Sequence, residues 1–177
     1  MNCAAKINLP LNETQARQLK AGDRLLLNGV IWTARDAAHK RLVAMLDAGE
    51  ALPVELKDQL VYFVGPCPAP PGRPIGSAGP TTSGRMDAYS PRLIRECALR
   101  GMIGKGNRSQ AVIDAMKEFG AVYLAATGGA GALIAQCIEK CDQIAFPELG
   151  PEAIYRLEVR DFPVVVAIDS NGNSLYA

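Results

Sequence analysis

Apolar residues change their spacing several times along this chain, and each change marks an element. Residues 23–33, DRLLLNGVIWT, are strongly apolar on both sides of Asn28 and Gly29. Asn-Gly tolerates the positive φ angles of a tight two-residue turn, so the pattern predicts a hairpin of strands over 23–27 and 30–33. Just upstream, Asn12 and Gln15 have capping-box spacing and predict a short helix through Leu19. From Arg35 onward Ala38, Leu42, Met45 and Leu46 recur at the spacing of one helix face. That helix sets Arg35 and His39 one turn apart near its start, where both can face one site. Residues 60–64 are an unbroken apolar run with the length of a buried strand.

Residues 65–80 interrupt this order with proline and glycine, too rigid and donor-poor for a helix. They are read as an ordered loop rather than a linker, because flexible linkers favour serine, glycine and charge. Beyond it, Ser90-Pro91 opens a helix that Gly101 ends, residues 102–104 are a short strand, and Ser109 caps a helix that Gly120 stops. A strand over 121–126, a small-residue helix from Gly128 through Glu139 and a strand over 143–146 follow. Strands over 155–159 and 164–168, a turn at Asn171-Gly172 and a last strand over 174–176 complete the pattern. The class is mixed α/β, with a βαβ core and β-hairpin additions.

Composition narrows the function. The chain has 177 residues, 49% hydrophobic and 21% charged, enough to bury the core of a single domain over residues 1–177. A net charge of +1 supplies no overall field for nucleic acid or an anionic membrane, so any anion recognition must be local. The N-terminal MNCAAKINLP lacks the apolar run of a signal peptide, and no stretch approaches the roughly 20 apolar residues of a membrane helix. Five cysteines, Cys3, Cys67, Cys97, Cys137 and Cys141, form no CxxC pair and suit reduced thiols better than a disulfide framework. A soluble cytoplasmic protein without nucleic-acid or membrane partners is expected.

The richest chemistry lies between Gly65 and Gly106, where Gly76, Gly79 and Gly84 surround Thr81, Thr82 and Ser83, and Arg85 and Lys105 supply cations. Glycine lets a ligand approach the chain closely, so exposed amides and hydroxyls beside cations suggest an anion pocket. A planar guanidinium engages a carboxylate through two parallel hydrogen bonds, which suits Arg85 and Arg35 to a dicarboxylate. Read without any relative, the two threonines are accounted for by a hydrogen-bonded turn, and a lone arginine or lysine by a solvated surface. Asp36 and Asp87 adjoin Arg35 and Arg85 as ion-pair partners that hold them in place, and His39, the sole histidine, is read as structural. Gly128, Gly129 and Gly131 lack nucleotide-binding spacing and are read as helix-to-sheet packing. Cys137 and Cys141, one turn apart on the expected helix, have no third ligand nearby, so no metal site is expected in this chain.

GSAGPTTSGRMD and GMIGKG, in that order, resemble the β subunit of class I, iron–sulfur-dependent fumarate hydratases and L-tartrate dehydratases. ARDAAHKR, KGNRSQ, YLAATGGAGALIAQ, PELGPEAI and EVRDFPVVVAIDSNGN extend the resemblance over nearly the whole chain. It implies a swivelling β/β/α domain and a hydro-lyase half-site. Thr81 is then the base, Lys105 a catalytic cation, and Arg35 and Arg85 the carboxylate clamps. Thr82 and Ser83 are expected at the substrate, and Asp36, His39 and Asp87 behind these residues. It further implies that a separate α subunit carries a [4Fe–4S] cluster, so that the chain works in a heterodimer or heterotetramer. Fumarate and L-malate are the first expectation, L-tartrate the second, and a non-catalytic dicarboxylate-binding domain the reading from another class.

Overall fold

The computed structural model describes residues 4–126 and 130–176. Local rules account for most of its elements. Strand β1 (Ala5–Asn8) precedes helix α1 (Glu13–Gln18), which begins at a full capping box in which Asn12 and Gln15 exchange side-chain-to-backbone bonds of 2.9 and 3.0 Å. Strand β2 (Arg24–Thr33) and helix α2 (Asp36–Asp47) follow, and α2 buries Ala38, His39 and Leu42. Strand β3 (Leu60–Tyr62) leads into the proline-rich loop and a 3-10 turn over Ser83–Met86. Then come α3 (Ser90–Cys97), β4 (Gly101–Gly104), α4 (Gln110–Phe119) and β5 (Val122–Ala125). Helix α5 (Gly131–Ala135), strand β6 (Ile138–Ala145), a 3-10 turn over Pro147–Glu152 and the long strand β7 (Ile154–Ile168) end the chain.

Among the described residues the strands form one mixed sheet in the order β1-β2-β3-β4-β5-β7-β6. Strands β2, β3, β4 and β5 run parallel, while β7 lies antiparallel to both β5 and β2. The second pairing closes the sheet into a small barrel. Alternation then sorts the side chains: Leu60, Tyr62, Val64, Ile103, Val122 and Leu124 join one core cluster, and Val61, Phe63, Met102 and Tyr123 the other. The second cluster takes in Leu42 of α2, Leu93 of α3 and Met116 of α4, so these helices cover that face. No helix among the described residues is long and apolar enough to cross a membrane.

Several expected elements are corrected. Asn28-Gly29 makes no hairpin, because β2 runs straight through it. Gly29 has φ +125° within a bulge opposite β7, and Asp161 at φ 48° donates its N–H to Asn28 Oδ1 at 3.0 Å. The positive φ that suggested a turn serves a bulge, since β7 offers a continuous antiparallel partner on both sides. For the same reason the two strands expected over 155–159 and 164–168 are one. Near the C-terminus Asn171-Gly172 does turn the chain, but only an isolated bridge, Ile168 to Ser174, follows. Helix α3 ends at Ala98, which takes the left-handed conformation (φ 52°), and Gly101 belongs to β4. The helix expected through Glu139 stops at Ala135, and β6 starts at Ile138, so Cys137 and Cys141 share no helix. Gly128 and Gly129 lie outside the described residues.

The loop over residues 65–80 leaves β3 and returns to the same sheet. Ile75 and Ala78 are buried in the first core cluster, and Ala78 N donates to the Gly131 carbonyl at 3.1 Å. Tyr62, from the barrel interior, donates its hydroxyl proton to the Ala78 carbonyl. These bonds satisfy backbone groups that burial would otherwise leave unpaired.

Candidate functional site

Parallel strands β2, β3 and β4 place three chain segments at one end of the sheet. Thr33, Tyr62, Ile103 and Leu124 are aligned across β2 to β5, so Arg35 follows the end of β2, Gly65 that of β3 and Lys105 that of β4. With strands about 4.8 Å apart, the backbones at Arg35 and Lys105 stand roughly 10 Å apart across β3. The carboxyl ends of parallel strands are where open α/β sheets bind ligands.

Thr81 and its neighbours wedge between the ends of β3 and β4. Thr81 N donates to the Phe63 carbonyl at 2.7 Å, Ser83 N to the Lys105 carbonyl at 2.8 Å, and Thr82 forms a parallel bridge with Lys105. Thr81 is thereby held half-buried, while Thr82, Arg85 and Lys105 are exposed. Gly104 makes the wedge fit, because a Cβ there would lie 1.9 Å from Ser83 Oγ.

Asp36 binds one of the two arginines and lies near the other. Asp36, at the start of α2, accepts from Arg85 Nε at 3.0 Å, and its second oxygen lies 2.9 Å from Arg85 Nη2. Arg35 Nε lies 3.8 Å from the same carboxylate and 3.3 Å from Glu152. Its side chain folds over Gly65, where a Cβ would approach Nη1 to 2.8 Å. Arg35, Asp36, Arg85 and Glu152 thus form one chain of charges, joined across three loops.

Two expected placements change. Ser83 is fully buried, and its hydroxyl meets the Tyr123 hydroxyl at 2.8 Å instead of the open face. The space left by the missing side chain of Gly104 receives this hydroxyl. Asp87 does not hold Arg85; it accepts from Arg108 Nε at 2.7 Å and from Ser109 N at 2.6 Å. The 3-10 turn carries Arg85 and Asp87 to different partners, and Arg85 pairs with Asp36 instead.

Arg108 and Tyr123 went unnoticed in the sequence. Arg108 is 5% exposed, donates Nη2 to Ser90 Oγ at 2.7 Å and stacks over Phe63 and Tyr123 at 5.3 and 5.0 Å. Burial lowers its pKa, and the Asp87 carboxylate opposes that. Nothing in KGNRSQ marks one of its charges as buried. A tyrosine in the apolar run AVYLAA is a usable signal, since a buried phenol needs a hydrogen-bond partner.

His39 is wholly buried against Phe63, with ring centroids 5.3 Å apart. Its Nδ1 lies 2.8 Å from the Arg35 carbonyl, which can only accept, so Nδ1 carries the proton and Nε2 does not. Burial lowers its pKa from 6.5 to about 4. Between those values the unfolded chain binds a proton that the folded chain refuses, so stability rises with pH. This contribution is present above pH 6.5 and is lost as pH falls through about 4. It corresponds to roughly 3 kcal/mol at 1.36 kcal/mol per pH unit. Urea midpoints measured at pH 7 and pH 5 should therefore differ, and His39→Gln should flatten that difference; an unchanged slope would refute the assignment.

Among the described residues no three Cys, His, Asp or Glu side chains converge as a metal-ligand set. Burial pushes the Cys141 thiol up to about 11 and raises those of Cys97 and Cys137, away from the thiolate that a cluster requires. These side chains do not fit an iron–sulfur group.

A family profile described as "Fumarase C-terminus" matches residues 2–177. A "Fumarate hydratase class I, aerobic" of Salmonella typhimurium is 43% identical over 173 residues, 96% of this chain and 30% of that protein. "Fumarate hydratase 2" of Leishmania major is 42% identical over 164 residues, 92% of this chain and 29% of that protein. A "Putative L(+)-tartrate dehydratase subunit beta" of Methanocaldococcus jannaschii is 40% identical over 171 residues, 94% of this chain and 88% of that subunit. The chain therefore spans about 30% of the fumarate hydratases and most of the tartrate dehydratase subunit. With residues 2–177 matched by that profile, and with Arg35, the Thr81–Arg85 segment and Lys105 gathered at one end of a closed sheet, the chain belongs to the Fumarase C-terminus family.

Proposed function

We propose that this chain is the β subunit of a hydro-lyase that reversibly hydrates fumarate to L-malate. The observation that carries the reading is the gathering of Arg35, the Thr81–Arg85 segment and Lys105 at the carboxyl ends of neighbouring parallel strands. Arg35 and Arg85 orient the two carboxylates, Arg85 being held through part of its donor set by Asp36, while Arg35 Nε lies 3.3 Å from Glu152. Thr82 is an exposed hydroxyl beside them. Thr81 accepts the proton from the carbon next to the one bearing the hydroxyl, and Lys105 stabilises the negative charge that builds on the adjoining carboxylate. His39, held neutral by burial, supports the carbonyl of Arg35 rather than exchanging protons.

The charge balance supports a partner. Three cations against Asp36 and Glu152 leave one net positive charge, short of the two that a dicarboxylate needs. On this reading a partner α subunit supplies the remainder and would hold a [4Fe–4S] cluster, which would contribute Lewis acidity toward the substrate hydroxyl. The chain acts as a swivelling domain that closes over that subunit in a cytoplasmic heterodimer or heterotetramer, excluding water from the site. L-tartrate is the second substrate reading, favoured by the full-length likeness to a tartrate dehydratase beta subunit.

Anaerobic co-expression with an α-type chain, followed by assays with L-malate and L-tartrate, tests the proposal. The complex should turn over one of them and the isolated chain neither. Arg85→Lys, which loses the two-point grip, should raise KM about tenfold or more, as expected for losing 1.5–3 kcal/mol of charged hydrogen bonding. A complex inert on both substrates, yet binding dicarboxylates, would leave a non-catalytic binding domain.

A further inference from the structure

Tyr123 lies beneath the site on β5, fully buried, beside the strand that leads to Lys105. Its hydroxyl is 2.8 Å from Ser83 Oγ and 2.8 Å from the Gly106 carbonyl. Ser83 belongs to the turn that carries Thr81, Thr82 and Arg85, and Gly106 adjoins Lys105. One hydroxyl thus joins the two loops that bear the proposed base and the proposed cation.

We propose that Tyr123 is a positioning residue that sets the distance between the Thr81 turn and Lys105. This rests on the hydro-lyase reading above. Backbone bonds alone hold the two loops loosely on one side, because Lys105 N reaches the Thr81 carbonyl at 3.4 Å, against 2.8 Å for Ser83 N to the Lys105 carbonyl. Gly106 has φ +80°, a left-handed conformation that the phenol secures through its carbonyl. Gly104 leaves the space that lets Ser83 descend to the phenol. The Arg108 guanidinium lies over the Tyr123 ring at 5.0 Å while its Nε engages Asp87 beside the same turn. The ring is therefore fixed by packing, and the hydroxyl is fixed by two partners from different loops.

Tyr123→Phe keeps the ring under Arg108 and removes only the tie. In the reconstituted complex kcat should fall about 10- to 100-fold, the scale on which small misplacements of reacting groups act, with KM changed less than about twofold. Ser83→Ala removes the other end of the tie, and the double variant should be no slower than the slower single one. Hydrogen exchange on the isolated chain adds a readout free of the reaction: amides over 81–85 and 104–107 should exchange faster in Tyr123→Phe. Unchanged kcat with lowered thermal stability, or additive losses in the double variant, would overturn the proposal. A wild-type complex inert on both substrates would remove the reaction itself, and faster exchange would then report a tie without a catalytic role.

Discussion

Thr81→Ala is expected to lower kcat of the reconstituted complex about 10²- to 10⁴-fold, the range contributed by a positioned proton-transfer group, with KM changed only a few-fold. The substitution isolates the hydroxyl because the main chain at this position is held independently. Thr81 N donates to the Phe63 carbonyl at 2.7 Å, and Ser83 N to the Lys105 carbonyl at 2.8 Å, so the wedge keeps its place without the side chain. A threonine hydroxyl is a weak acid, and its use as a base demands surroundings that favour the alkoxide. Exposed Arg85 and Lys105 on the flanking loops supply positive charge, and closure by a partner would strengthen it by excluding water. Thr81→Ser keeps the hydroxyl but frees χ1, so it should fall between the parent and the alanine variant. Turnover by Thr81→Ala at the parent rate would remove Thr81 as the base while leaving the clamps in place.

The largest expected effect on stability belongs to Arg108. Arg108→Met should cost about 3–5 kcal/mol, the range for breaking a buried ion pair from one side. The Arg108 side chain is 0% exposed and Asp87 18%, so the remaining carboxylate would be largely cut off from water. Ser90 Oγ would lose its donor at 2.7 Å, and the faces of Phe63 and Tyr123 would lose the cation stacked on them. The loss should show as a lower urea midpoint with an unchanged denaturant slope. Pairing Arg108→Met with Asp87→Leu should recover part of it, since an apolar pair leaves no unpaired charge. A loss below about 1 kcal/mol would mean that water reaches this pair, and the description of a sealed network would fail.

Much of the candidate site is legible in the sequence, because its residues are clustered there. Thr81, Thr82 and Arg85 occupy one short motif, Lys105 sits between two glycines, and Arg35 opens a helix with clear periodicity. What escaped was direction. Ser83 and Asp87 looked equivalent to their neighbours, but they point inward, to Tyr123 and Arg108. Arg108 read as one more solvated charge, since sequence separates it from Asp87 by 21 residues and from Phe63 by still more. The pairing of Asp36 with Arg85 spans 49 residues and follows from no local spacing.

The chain by itself determined its short-range structure: the capping box of α1, the buried face of α2, the stop at Gly120 and the parallel rhythm of β3, β4 and β5. These depend on residues within one or two turns of each other, where propensity and periodicity act directly. Only the tertiary structure decided that Asn28-Gly29 is a bulge, that β7 is continuous and that the sheet closes. Those outcomes depend on which distant strand supplies the missing hydrogen bonds, and backbone groups take the longest ladder that three-dimensional packing offers, whatever turn the local sequence would permit.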